Sequence, residues 1–238
     1  MTDKNGFSQL RSFYDDQYYA GVDAAGDVSW HLRRLARRLI NSPGKRVLDV
    51  ACGAGEWLMA ASDRHAHVSG IDIASRAVAL ARQRLPRGVF AEGVAEALPY
   101  RVASFDLVSC LGALEHFPDK SAALREMHRV LDKNGRALIL VPNAGFLTRR
   151  LGLFRGTKQV AVREDVLSLD AWQALFEANG FRVEQRWGDR HVMSMGWLLQ
   201  NGWLQLLPRL AQALVLTVWP LRWQYQVYHL LVPIGSDR

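Results

Sequence analysis

The chain has 238 residues and a net charge of +7, from 30 basic and 23 acidic side chains. That length buries a large core and suits one domain carrying an insertion. Two cysteines, Cys52 and Cys110, exclude a disulfide framework and point to a reducing cytoplasm. The first ten residues are polar and lack an apolar signal-peptide core, so no leader is expected. The basic residues cluster, with Arg33, Arg34, Arg37 and Arg38 in one group and Arg149, Arg150, Arg155 and Lys158 in another. Such groups permit an anionic partner, a phosphate-bearing substrate or a membrane surface, although arginine on the wet side of a helix is the plainer reading.

From Ser8 to Gly21, Phe13, Tyr14, Tyr18 and Tyr19 recur at helical spacing, and a terminal helix packed on the core is expected. Asp27 or Ser29 is placed to cap the next helix, which runs to about Ile40. Leu32, Leu35, Ala36, Leu39 and Ile40 share one face of it, and the four arginines take the other. Ser42-Pro43-Gly44 breaks the chain. Val47, Leu48 and Val50 then form an apolar run of the length of a buried parallel strand. The chain turns through Gly53 and Gly55 into a helix over Trp57 to Ala61. Bare backbone N–H groups beside a helix N-terminus favour close approach by a polar or anionic ligand. The glycine spacing is not that of a dinucleotide site, and no Gly-Lys-Ser/Thr follows for a triphosphate.

With Asp49 before the turn, this stretch resembles the Asp-x-Gly-x-Gly-x-Gly motif of class I S-adenosylmethionine-dependent methyltransferases; Ala51 stands at its first glycine. The resemblance implies S-adenosylmethionine as cofactor, held by Asp49, Ala51, Gly53 and Gly55. It also implies a leading helix that folds over the cofactor, where Tyr14, Tyr18 or Tyr19 would serve. A second strand, Val68 to Ile73, carries Asp72 at its tip, 17 positions beyond Gly55. A carboxylate there accepts two hydrogen bonds from a ribose diol, and Ile73 is assigned to the same site. Ser75 to Leu85 is a helix stopped by Pro86-Arg87-Gly88, and Val89 to Glu92 is the third strand. Gly93 to Tyr100 is similar to the family's Gly-Asp-Ala-Glu-x-Leu-Pro-Phe segment, with Val94 in place of the aspartate that meets the adenine. Adenine contact then falls to the Ala95 N–H and to Glu96.

Ser104 to Cys110 is the fourth strand, with Leu111 assigned to the cofactor site. Gly112 to Asp119 resembles the Glu-His-x-Pro-Asp stretch of small-molecule O-methyltransferases of the ubiquinone-biosynthesis type. An oxygen acceptor needs a base, and His116 is the candidate, with Glu115 orienting it or binding substrate; His191 is a second candidate base. The metal-binding relatives carry Glu-x-x-Glu-His, whose first glutamate is Gly112 here, so no metal is expected.

Lys120 to Leu131 reads as a helix stopped at Lys133-Asn134-Gly135, and Ala137 to Val141 as the fifth strand. After a loop from Ala144 to Asp165, a helix from Leu167 ends at Asn179-Gly180, and strands follow over Phe181 to Trp187 and Gln226 to Ile234. Six of the eight tryptophans fall from Trp172 onward, and Met193 to Trp223 reads as two short apolar helices over the active-site mouth. They present an apolar groove, lie at a membrane surface, or are buried against the core or in a dimer.

The expected fold is α/β, a doubly wound, mostly parallel seven-stranded Rossmann-like sheet with an apolar helical insertion before the last strand. The expected division is a helical cap over 1–45, the methyltransferase core over 46–190, the insertion over 191–223 and an edge strand with tail over 224–238. The expected activity is O-methylation of a small or lipid-linked hydroxylated acceptor such as a sugar, quinone precursor or lipid. The rivals are a nucleic-acid methyltransferase, for which no RNA-binding module is visible, and a non-catalytic cofactor-binding regulator. The expected location is the cytoplasm or the inner face of the membrane.

Overall fold

The computed structural model describes residue 7 and residues 11–19, 28–146, 164–189 and 219–235. Seven strands join in one sheet: β1 (Arg46–Val50), β2 (His67–Asp72), β3 (Val89–Glu92), β4 (Phe105–Leu111), β5 (Leu131–Pro142), β6 (Phe181–Gly188) and β7 (Gln226–Pro233). Their order is β3-β2-β1-β4-β5-β7-β6. The first five are mutually parallel, and β7 runs antiparallel to both β5 and β6, so the sheet is mixed at one edge.

Both faces of the sheet are covered, which is why Ala137–Pro142 of β5 and Leu230–Pro233 of β7 read as unbroken apolar runs. Val47 packs with α1 (Trp30–Leu39), α2 (Glu56–Ser62) and α3 (Ser75–Arg84) on one face. Leu48 and Val50 pack with α4 (Lys120–Val130) and α5 (Leu169–Ala178) on the other. The same alternation along β5 sends Leu138 and Leu140 to the first face and Ala137, Ile139 and Val141 to the second. Helix α1 forms as its pattern predicts: Ser29 Oγ accepts from the Leu32 N–H at 3.3 Å, Leu35, Ala36 and Ile40 are buried, and all four arginines are exposed.

One boundary differs from expectation. Helix α4 ends at Val130 and β5 begins at the next residue; Phe105 pairs with Leu131, Leu107 with Arg136, and the residues between bulge out of the ladder. Lys133-Asn134-Gly135 is therefore an interruption inside a strand rather than the end of a helix, a distinction that rests on pairing with β4 and not on local propensity.

The expected leading helix is described over 11–19, where the segment Tyr14–Tyr18 is π-helical. Asp27, His191, the second basic group and most of the apolar stretch before β7 lie outside the described residues. At the end of that stretch, Leu221–Trp223 makes one 3-10 turn, and Trp219 meets Trp223 edge-on with centroids 5.7 Å apart. No helix among the described residues is long and apolar enough to cross a membrane.

Candidate active site

The C-terminal ends of β1 to β4 open onto a cavity of about 180 Å³. Ala51, Asp72, Ile73, Ala95, Glu96 and Leu111, six of the residues assigned to the cofactor, line it, and so does His116. Val94, Gly93, Ala113 and Phe117 join them, as do Tyr14, Tyr18 and Tyr19 from the N-terminal segment. Asp49, Gly53, Gly55 and Glu115 are not among the lining residues.

The turn after β1 is built from left-handed residues. Ala51 has φ of 59°, Gly53 of 53° and Gly55 of 82°. At Gly53 the bare α-carbon is required by close approach, because a Cβ there would lie 2.6 Å from the Tyr19 hydroxyl oxygen. Gly55 starts α2, and a Cβ on it would meet the Ala81 Cβ at 3.4 Å, so this glycine serves helix packing rather than the cavity. Ala51 adopts the left-handed region with a side chain, at a cost of about 1–2 kcal/mol.

Asp72 ties the turn to the neighbouring strand. Its Oδ2 accepts from the Gly53 N–H at 2.8 Å and its Oδ1 from the Ala74 N–H at 2.9 Å. Burial pushes its pKa up, and the backbone donors pull it back. An ionised carboxylate offers about four lone-pair directions, so acceptor capacity remains for hydroxyls entering from the cavity.

Asp49 lies beneath the turn, almost fully buried. Its Oδ1 accepts from the Ser109 hydroxyl at 2.6 Å, and the Ser109 oxygen accepts from the Trp57 indole N–H at 2.8 Å. Burial raises the Asp49 carboxyl to about pH 8, the Ser109 bond opposes the rise, and the Asp72 charge adds to it. This chain joins β1, β4 and α2 under the turn and was missed in the sequence. The one available signal was Ser109, a polar residue inside the apolar stretch 107–111 of β4.

The tyrosine segment lines the cavity and is tied to the end of β2 and the start of α3. Asp15 Oδ1 accepts from the Arg76 N–H at 2.9 Å, supplying α3 with an N-terminal cap that its own Ala74 cannot provide. Arg11 donates to the Ile73 carbonyl at 3.2 Å and pairs with Glu92. Burial is the larger cause, and the Asp72 charge the second, of raised pKa values for Tyr14, pushed to about 12, and for Tyr19. Both phenols stay neutral at ordinary pH.

Glu115 and His116 sit on the 3-10 turn Leu114–His116 that follows β4. His116 faces the cavity. The Glu115 side chain is buried, and its Oε2 has no hydrogen-bond partner. Burial, with the Glu164 carboxylate as a smaller cause, raises its pKa to about 7, and Lys120 opposes the shift. Glu96 is partly committed, since its Oε1 accepts from the Asp119 N–H at 3.3 Å and so joins the segment after β3 to the start of α4. Among the described residues, no three His, Cys, Asp or Glu side chains meet at metal-holding distance.

A buried carboxylate with spare acceptor capacity at Asp72, the turn at Ala51 and apolar walls at Ile73, Ala95 and Leu111 together fit a group with a ribose and a flat ring. Val94, which stands where the similar segment carries aspartate, lines the same wall and supplies no carboxylate to it.

Comparison with known proteins agrees with this geometry. Residues 48–139 match a family described as methyltransferase domain. The chain is 31% identical over 214 residues to an uncharacterised methyltransferase, YcgJ, of Bacillus subtilis, covering 85% of this chain and 81% of that one. Against the crystal structure of YcgJ the TM-score is 0.55 at 25% identity, with 84% and 94% of the two chains covered. It is 38% identical over 108 residues to the ubiquinone biosynthesis O-methyltransferase of Pseudomonas aeruginosa, a match spanning 42% of this chain and less than half, 45%, of that enzyme. The magnesium protoporphyrin IX methyltransferase of Synechocystis, solved with bound S-adenosylhomocysteine, shares the fold at a TM-score of 0.61 and 17% identity over 95% of this chain and 99% of that one.

Proposed function

We propose, from the premise that this chain belongs to the S-adenosylmethionine-dependent methyltransferases, that it methylates a hydroxyl oxygen on a small or lipid-linked acceptor. It is an enzyme whose cofactor is S-adenosylmethionine. When bound, that cofactor supplies an electrophilic methyl group on a sulfonium. The residues that would hold it are Ala51 at the turn, Asp72 and Ile73 at the tip of β2, and Ala95, Glu96 and Leu111 on the far wall.

One observation carries the oxygen-acceptor reading. The cavity lined by the cofactor residues is also lined by His116, beside a buried Glu115 whose carboxyl titrates near neutrality. A neutral hydroxyl is a poor nucleophile, and a positioned base is worth about 10²- to 10⁴-fold. In this reading His116 takes the acceptor proton and Glu115 holds the imidazole or a second acceptor hydroxyl. The partial match to the ubiquinone enzyme supports the same acceptor chemistry. Tyr14 and Tyr19 line the same cavity, and in this reading they keep water out, which leaves the acceptor as the nucleophile at the methyl carbon.

Transfer of labelled methyl groups to phenolic quinone precursors, sugars, lipid extract and RNA tests the acceptor class. Product on a hydroxyl oxygen is the expected result; product on RNA alone rejects the reading. His116→Gln should lower kcat by about 10²-fold or more and leave S-adenosylhomocysteine affinity within about twofold. An unchanged kcat and pH profile removes His116 from the role of base.

A further inference from the structure

A second cavity, sharing no lining residue with the first, lies between α1 and the end of β6. It has a volume of about 190 Å³ and is lined by Trp30, His31, Arg34, Leu35, Arg38, Trp187 and Gly188. In the sheet order β6 stands four places from β1 and three from β4, whose ends line the first cavity.

Its walls are organised before any ligand arrives. Trp30, Arg34 and Arg38 follow one another at four-residue intervals along α1 and so share a face. The Arg38 guanidinium lies 3.8 Å from the centroid of Trp187, and its Nη2 donates to Gln185 at 2.7 Å. Trp187 also stacks on Tyr228, with centroids 5.5 Å apart and planes 17° from parallel. Tyr228 is fixed in turn, its hydroxyl 2.8 Å from His31 Nε2, which also lies 3.2 Å from the Asp189 carboxylate. Arg34 sits over the ring of Trp30 at 5.4 Å, and that indole is half exposed. A solvated arginine face explains exposed cations. It does not explain two indoles framing a cleft, or a guanidinium pinned by stacking and a hydrogen bond.

Among the described residues, the lining carries two guanidiniums and no carboxylate, and neither Arg34 nor Arg38 has an acidic partner. Arginine beside an aromatic ring keeps N–H donors available for oxyanions. Two guanidiniums match the charge of a phosphomonoester, about −1.5 to −2 at neutral pH. The indoles supply an apolar surface for whatever bears the phosphate. We infer that this cleft is a binding site for a phosphate ester on a flat or apolar body, distinct from the methyl-transfer cavity and independent of the acceptor assigned there. The ester is either a soluble molecule or the headgroup of an anionic lipid.

Tryptophan fluorescence of the full chain, titrated with phenyl phosphate and with phenol, reads the site directly. Vesicles of phosphatidylcholine with and without phosphatidic acid form the second arm. Saturable quenching by phenyl phosphate but not phenol is expected, weakened at least tenfold in Arg34→Gln and in the double variant Arg34→Gln/Arg38→Gln. S-adenosylhomocysteine affinity should stay within twofold of the parent, which reports an intact fold; Arg34 is exposed, so the single variant covers a folding failure of the double. Vesicle binding that needs phosphatidic acid and is displaced by phenyl phosphate assigns the lipid source. Phenyl phosphate binding without vesicle binding assigns the soluble one. Quenching that is absent, equal for phenol, or unchanged in Arg34→Gln overturns the site, as does binding of RNA without binding of phenyl phosphate.

Discussion

Replacing Asp72 by Asn tests the tie between the turn and β2 and the cofactor role together. The two carboxylate oxygens accept from two N–H groups, Gly53 at 2.8 Å and Ala74 at 2.9 Å. An asparagine keeps one acceptor and sets its NH₂ against the other N–H, so one charge-assisted bond is lost at a buried site. That loss is about 1.5–3 kcal/mol. At about 2–4 °C per kcal/mol for a chain of this size, Tm should fall by roughly 3–12 °C. The same loss of negative charge should weaken S-adenosylhomocysteine binding by about 10- to 150-fold. Thermal unfolding without cofactor reads the first effect and titration calorimetry at neutral pH reads the second. An unchanged Tm refutes the structural tie. A lowered Tm with unchanged affinity keeps the tie and refutes the contact to the ribose.

Three further outcomes follow from other residues. Ala51→Gly removes left-handed strain of about 1–2 kcal/mol against a glycine entropy cost of about 0.5–1 kcal/mol, so thermal unfolding should show a slightly higher Tm; a lower one refutes the strain. His229 is fully buried with Nε2 unpartnered, and burial depresses its pKa from about 6.5 to about 4. The folded state thus disfavours the imidazolium: stability is whole above about pH 6.5 and is lost as pH falls towards 4, by on the order of 3 kcal/mol. Urea unfolding at a series of pH values should lose that slope in His229→Leu, and an identical slope in the variant assigns it elsewhere. Asp15→Ala removes the cap that the N-terminal segment lends to α3, worth about 0.5–2 kcal/mol. Stopped-flow measurement should show faster release of S-adenosylhomocysteine, and an unaltered rate detaches that segment from the cavity.

The chain by itself determined the alternation of strands and helices, because covered strands such as Val47–Val50 and the striped helix Trp30–Leu39 are written in local periodicity. It also placed Ala51 of the turn, Asp72 and His116 together at the C-terminal ends of the strands, since parallel connectivity brings strand tips together wherever they lie in sequence. Tertiary structure alone decided what these residues touch. The Asp49–Ser109–Trp57 chain spans 60 and 52 positions, and the His31–Tyr228 pair spans 197. The bulge in β5 depends on its partner β4, and the Trp30–Trp187 cleft exists only because α1 lies against the last-placed strand. Local pattern records which face a residue turns to; the neighbour across that face is chosen by packing between segments that share no sequence signal.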